Sequence, residues 1–153
     1  MKSNPVQALE SMSQQEYAAL QKALPHMSVA EKAELLDFLE ERDRRNSLKA
    51  GRGDLIEFAK HVYPGFKVGP HHKKLARIFQ DVIDGKKKRV IINIAPRMGK
   101  SEFSSYLFPA YFLGNFPNKK IIMGTHTASL SEDFGRRVRN LIDSDEYHDL
   151  FPN

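Results

Sequence analysis

Arg89-Val90-Ile91-Ile92-Asn93-Ile94-Ala95-Pro96-Arg97-Met98-Gly99-Lys100-Ser101 changes character halfway along. Residues 89–94 are short, β-branched and nearly continuous in apolarity, the pattern of a parallel strand covered on both faces. A loop containing proline and glycine follows, and a helical pattern runs from about residue 101 to residue 113. Strand, loop and helix in that order predict an α/β fold.

Downstream the alternation repeats. Asn115-Phe116-Pro117-Asn118 reads as a turn, Lys120-Ile121-Ile122-Met123-Gly124 as a second buried strand, and residues 129–143 as a helix, with a short tail at 147–151. A β-α-β-α order implies a parallel sheet with right-handed crossovers. The expected architecture is therefore a partial parallel sheet of the P-loop NTPase type, preceded by a helical segment.

That helical segment occupies residues 1–50. Residues 5–24 carry Val6, Leu9, Met12, Tyr17 and Leu20 at helical spacing, and Pro25 interrupts them because its ring cannot continue a hydrogen-bonded helix. Ser28-Val29-Ala30-Glu31 has the form of a capping box. The helix behind it, to about residue 46, sets Leu35, Leu36, Phe38 and Leu39 against Glu34, Asp37, Glu40 and Glu41, an amphipathic stripe. Gly51-Arg52-Gly53 reads as a hinge between the two parts, glycine being permissive in φ. Asp54 is placed to cap a short helix through Leu55, Phe58 and Val62. A second helix, about 70–84, carries Leu75, Ile78, Phe79 and Val82, with Gly85 where a left-handed C-terminal cap is expected.

The chemistry centres on the loop. The phosphate-loop pattern G-x-x-x-x-G-K-[ST] is matched at Gly99, Lys100 and Ser101, while its first position falls on Ile94. Gly99 lets backbone approach phosphate without a Cβ clash. Amides from Met98 to Ser101, at the positive end of a helix dipole, suit the β-phosphate. Lys100 is placed to reach the β- and γ-oxygens and the Ser101 hydroxyl to ligate Mg²⁺. Arg97 adds a planar guanidinium that can report on the γ-phosphate. The plain alternative is a basic strand-to-helix turn capped by Ser101, with Glu102 simply an acid favoured in a first helical turn.

The string APRMGKSEF resembles the deviant Walker A of bacteriophage large terminases, which carry an arginine inside the loop. The surrounding stretches, 69–114 and 124–151, are similar to the entry into that motor domain and to the strand and helix behind it. The resemblance covers roughly residues 53–153. It implies ATP and Mg²⁺ as cofactors, with Pro96, Arg97, Met98, Gly99, Lys100 and Ser101 on the phosphates and Lys100 and Arg97 catalytic. It also places residues 66–72 at the adenine-binding position, where His71 or His72 would contact the base. A finger arginine acting in trans would come from Arg136, Arg137 or Arg139, of which Arg139 fits best.

As partners the resemblance implies double-stranded DNA, a small terminase subunit, a portal protein and further copies of the chain in a homo-oligomeric ring. The setting would be the host cytoplasm and, transiently, the procapsid portal. One family feature is not found: an apolar strand ending in Asp-Glu, the Walker B site. Asp143-Ser144-Asp145-Glu146 follows a helix instead. Residues 51–153 thus read as a P-loop ATPase domain truncated before Walker B, expected to bind ATP and to hydrolyse it poorly or not at all. Two alternatives are a helicase-like nucleic-acid ATPase and a non-catalytic interaction module whose residues 1–50 recruit a partner subunit.

Composition agrees with these expectations without selecting among them. The chain has 153 residues, no cysteine and a formal net charge of +5. A disulfide framework and a Cys-ligated zinc site are excluded. No apolar run approaches the roughly 18 residues of a membrane helix, and the start lacks the apolar core of a signal peptide. Residues 1–50 balance to −1 and the remainder to +6, so the basic part suits a polyanionic partner such as DNA.

Overall fold

The computed structural model describes residues 13, 15, 22 and 24–152, and the helix expected over 5–24 falls largely outside them. Two compact units are present, Met1–Lys49 and Ala50–Asn153. In the first, a 3₁₀ turn at Leu24–His26 precedes helix α1, Val29–Gly53, whose last residues, from Ala50 on, belong to the second unit. The capping box forms as expected: Ser28 N–H donates to Glu31 Oε2 (2.7 Å) and Glu31 N–H to Ser28 Oγ (3.2 Å). Leu39 is buried, whereas Val29, Leu36 and Phe38 of the same helix are exposed.

Helix α1 does not stop at residue 46, and the glycines expected to form a hinge are helical. Gly51 answers to packing: a Cβ there would meet Leu150 Cδ2 at 2.7 Å. Helix α2, Leu55–Val62, begins at Asp54, whose carboxylate accepts from the amides of Ile56 and Glu57. Helix α3, Pro70–Ile83, closes where Gly85 turns left-handed at φ 73°. A π-wound segment, Glu102–Leu107, leads into α4, Phe108–Asn115. Its last bond runs from Phe108 N–H to Phe103 O, five residues back. Pro109 accounts for the position of this widening, since it lacks an N–H and its ring would meet the carbonyl of residue 105 in a regular helix. Helices α5, Ala128–Ile142, and α6, Asp145–Leu150, complete the unit.

The parallel sheet expected from the sequence is not seen. The elements formed by the described residues are all helical, and no strand occurs among them. Both apolar runs are present as unpaired connections, with Ile91 90% exposed and Ile122 98% exposed. Within the first run Val90, Ile92 and Ile94 are half-buried while Ile91 and Asn93 are exposed, so only one side meets protein. The physical reason is that apolarity and β-branching favour a strand but do not supply one. A ladder requires a neighbouring backbone, and neither run finds one among the described residues.

The core of the second unit is aromatic. Phe58, on α2, is wholly buried and lies 5.4 Å from the Tyr111 ring and 6.1 Å from Tyr147. Burial of one such ring stabilises by roughly 1.5–3 kcal/mol. Tyr147 donates its hydroxyl proton to Ala110 O (3.0 Å), and Phe151 packs so closely that a Cβ on Gly114 would lie 2.5 Å from its ring. The tail is thus a helical part of the core. A second aromatic run, Phe66, Phe103, Phe79 and Phe108, links the residues before α3 to the helix behind the loop through stacked pairs at 6.0, 6.1 and 4.2 Å.

Candidate functional site

Residues 95–99 are an exposed connection ending at the helix that begins with Lys100. Two of its residues are left-handed, Arg97 at φ 63° and Gly99 at φ 70°. Glycine adopts this region freely, whereas for arginine it costs about 1–2 kcal/mol. The first helical backbone bond is Phe103 N–H to Gly99 O (2.9 Å). Amides 98–102 donate to no backbone carbonyl among the described residues, as expected at a helix start.

Pro96, Arg97, Met98, Gly99, Lys100 and Ser101 are all exposed. The hydroxyl of Ser101 makes no cap bond to its own helix. Arg97 and Lys100 pair with no carboxylate among the described residues. Hydroxyl, ammonium, guanidinium and open amides therefore lie on one short stretch, a donor set that suits an anion with bound Mg²⁺. No group of three or more His, Asp or Glu side chains able to hold a metal occurs among the described residues.

The two histidines come next to this loop. His72 is 7% exposed, between the rings of Phe66 (4.9 Å) and Phe103 (5.3 Å). A Cβ on Gly99 would lie 3.2 Å from His72 Nε2. Gly69 N–H donates to His72 Nδ1 (3.0 Å), so the neutral ring carries its proton on Nε2. That Nε2 stands 3.1 Å from His71 Nε2, which then accepts, leaving the His71 proton on Nδ1. Burial, and secondarily the neighbouring His71, holds the His72 pKa below its ordinary value. His72 is thus committed to protein contacts on both nitrogens, and His71 keeps the free donor.

The three candidate arginines of α5 separate clearly. Arg136 pairs with Asp133 (2.8 Å) and Arg137 with Glu102 (2.5 Å), while Arg139 is exposed with no ion pair among the described residues. Arg139 borders a shallow surface depression with Glu132, Gly135 and Arg136. Arg137 also lies over the Tyr106 ring, 4.4 Å from its centroid. The bond to Glu102 holds its guanidinium above its ordinary pKa.

The Glu102–Arg137 pair is not legible in the sequence. Its partners are 35 residues apart, and the only local signal was an acid in a first helical turn. No described helix is long and apolar enough to cross a membrane. No known protein family, curated protein or solved structure matches the chain.

Proposed function

We propose that residues 95–101 bind the phosphates of ATP, and that the chain is the ATP-binding part of a viral DNA-packaging motor of the large-terminase type. The observation that carries this reading is the left-handed pair Arg97 and Gly99 just ahead of a helix start, which leaves amides and cationic side chains exposed together. Successive unpaired amides of this kind form an anion-binding concavity. In this role the amides of 98–101 hold the β-phosphate, Lys100 reaches the terminal oxygens and Arg97 reads the γ-phosphate. Mg²⁺ bound with ATP neutralises phosphate charge, and Ser101 Oγ is the ligand this chain offers it. His71 faces the base through its Nδ1–H. Arg139, which pairs with no carboxylate among the described residues, is the cation available to a neighbouring copy, and contacts to DNA phosphates would be strongly salt-dependent.

The test is binding of a fluorescent ATP analogue by the 153-residue chain and by Lys100→Ala. Saturable, Mg²⁺-dependent binding that Lys100→Ala loses is expected, with no appreciable turnover. Equal binding by both chains would remove the loop from the site, and turnover lost on Lys100→Ala would refute the expected inactivity.

A second role can coexist with the first. Val29 is 87% and Phe38 57% exposed on α1, which suits recruitment of a partner subunit. Phe38→Ser should then weaken that association and leave ATP binding unchanged.

A further inference from the structure

The carboxylate of Glu102 stands in an awkward place for a phosphate site. It follows Ser101 directly, in the first turn of the helix whose start would face the anion. A carboxylate there stabilises the helix itself by offsetting the dipole. The same charge repels a triphosphate arriving at the same end, and this repulsion is only partly screened beside half-buried groups.

Arg137 answers that charge from another element. Its guanidinium is 2.5 Å from Glu102 Oε1, with the two side chains 36% and 28% exposed. It stacks at the same time on Tyr106, four residues further along the π-wound segment, and lies 5.9 Å from the Phe134 ring of its own helix. One cation therefore fastens two positions of the segment behind the loop to α5. Two residues on, at about 100° per residue, Arg139 leaves α5 on another side and is exposed.

We propose that Arg137 is a positioning residue for the phosphate loop: it neutralises Glu102 and clamps the turn behind the loop to α5, the helix that carries Arg139. The role requires that residues 95–101 bind phosphate, as proposed above. Arg137 does not touch the nucleotide. It sets the local charge and the placement of the helix start that does.

The experiment compares the full chain with Arg137→Gln, Glu102→Gln and the double variant, measuring affinity for a fluorescent ATP analogue at low and high salt. Arg137→Gln should bind roughly fivefold more weakly, because it leaves an uncompensated carboxylate beside the anion. Glu102→Gln should bind as well as the parent or better. The double variant should return to within about twofold of the parent, and the loss in Arg137→Gln should shrink at high salt. A double variant as weak as Arg137→Gln would mean that the charge of Glu102 is not what Arg137 offsets and would overturn the proposal, as would unchanged affinity in Arg137→Gln.

A nucleotide-free readout separates this from failure of the phosphate reading. Amide hydrogen exchange over 103–108 should be faster in Arg137→Gln, and also in Arg137→Lys, which keeps the charge but loses the stacked fork over Tyr106. If the parent binds no nucleotide, the phosphate reading falls and the proposed role in binding falls with it. Faster exchange would still show the clamp, and unchanged exchange would remove the clamp as well.

Discussion

His72 and Gly99, on separate elements, approach so closely that a Cβ on residue 99 would stand 3.2 Å from His72 Nε2. Gly99 is also left-handed, at φ 70°. Gly99→Ala therefore meets two costs, a crowded ring and a disfavoured backbone, and should lower stability by about 1–2 kcal/mol. Urea denaturation of the two chains measures this. The same substitution should weaken ATP-analogue binding, because relief of the strain moves the amides at the helix start. Wild-type stability in Gly99→Ala would mean the close approach is not kept in solution.

Acid should loosen the same region. Burial holds His72 below its ordinary pKa in the folded chain, so folding favours the neutral ring. Stability from this source is fully present above the unfolded value of about 6.5. It is lost as pH falls through that value toward the lower folded one. A proton on Nδ1 would also displace the Gly69 N–H that now donates there. The melting temperature should thus fall on acidification below about pH 6.5, with a smaller slope in His72→Gln. Identical slopes would assign the acid sensitivity to other groups.

What the sequence discloses here depends on whether the partner is close in the chain. The capping box of Ser28 and Glu31 and the cap at Asp54 form as read, because each is completed within three residues. The left-handed Gly85 is legible for the same reason. Ile91 and Ile122 show the limit: a buried-strand pattern states what a segment prefers to meet, not that the neighbour exists. Gly51 suggests conformational freedom in the sequence, and in the fold it makes room for Leu150, 99 positions away. Tyr147, Leu150 and Phe151 have the i, i+3, i+4 spacing of a helix face, so α6 is legible in the tail. Within the candidate site the loop residues were legible as a motif. The Glu102–Arg137 pair joins two elements 35 residues apart, and an acid in a first helical turn does not name its partner.

Arg97 separates backbone strain from ligand contact. A side chain at φ 63° is strained whatever it is, so Arg97→Ala keeps the strain while Arg97→Gly relieves it. Arg97→Gly should be the more stable of the two by about 1 kcal/mol. Both lose the guanidinium, and both should bind an ATP analogue roughly tenfold more weakly while binding of the ADP analogue changes little. Equal losses for ATP and ADP would move the arginine away from the γ-phosphate, and no loss for either would leave it a surface residue.

Tyr147 gives the prediction that is independent of any ligand. Its ring is 5% exposed, in contact with Phe58 and Phe151, and its hydroxyl donates to Ala110 O. Burial pushes the phenol up to about 12, so the folded chain holds this proton more tightly than the unfolded chain does. The resulting stability is fully present below the unfolded value of about 10 and is lost as pH rises toward about 12. Tyr147→Phe should cost about 1 kcal/mol at neutral pH, from the lost hydrogen bond. It should also flatten part of the stability loss on the alkaline side, since phenylalanine has no proton to lose. Tyr106 and Tyr111 are raised by burial too, so the parent retains a residual alkaline slope that Tyr147→Phe does not remove. Urea midpoints measured for both chains from neutral pH into the alkaline range decide the matter: parallel curves would show that the buried Tyr147 phenol does not set the alkaline limit.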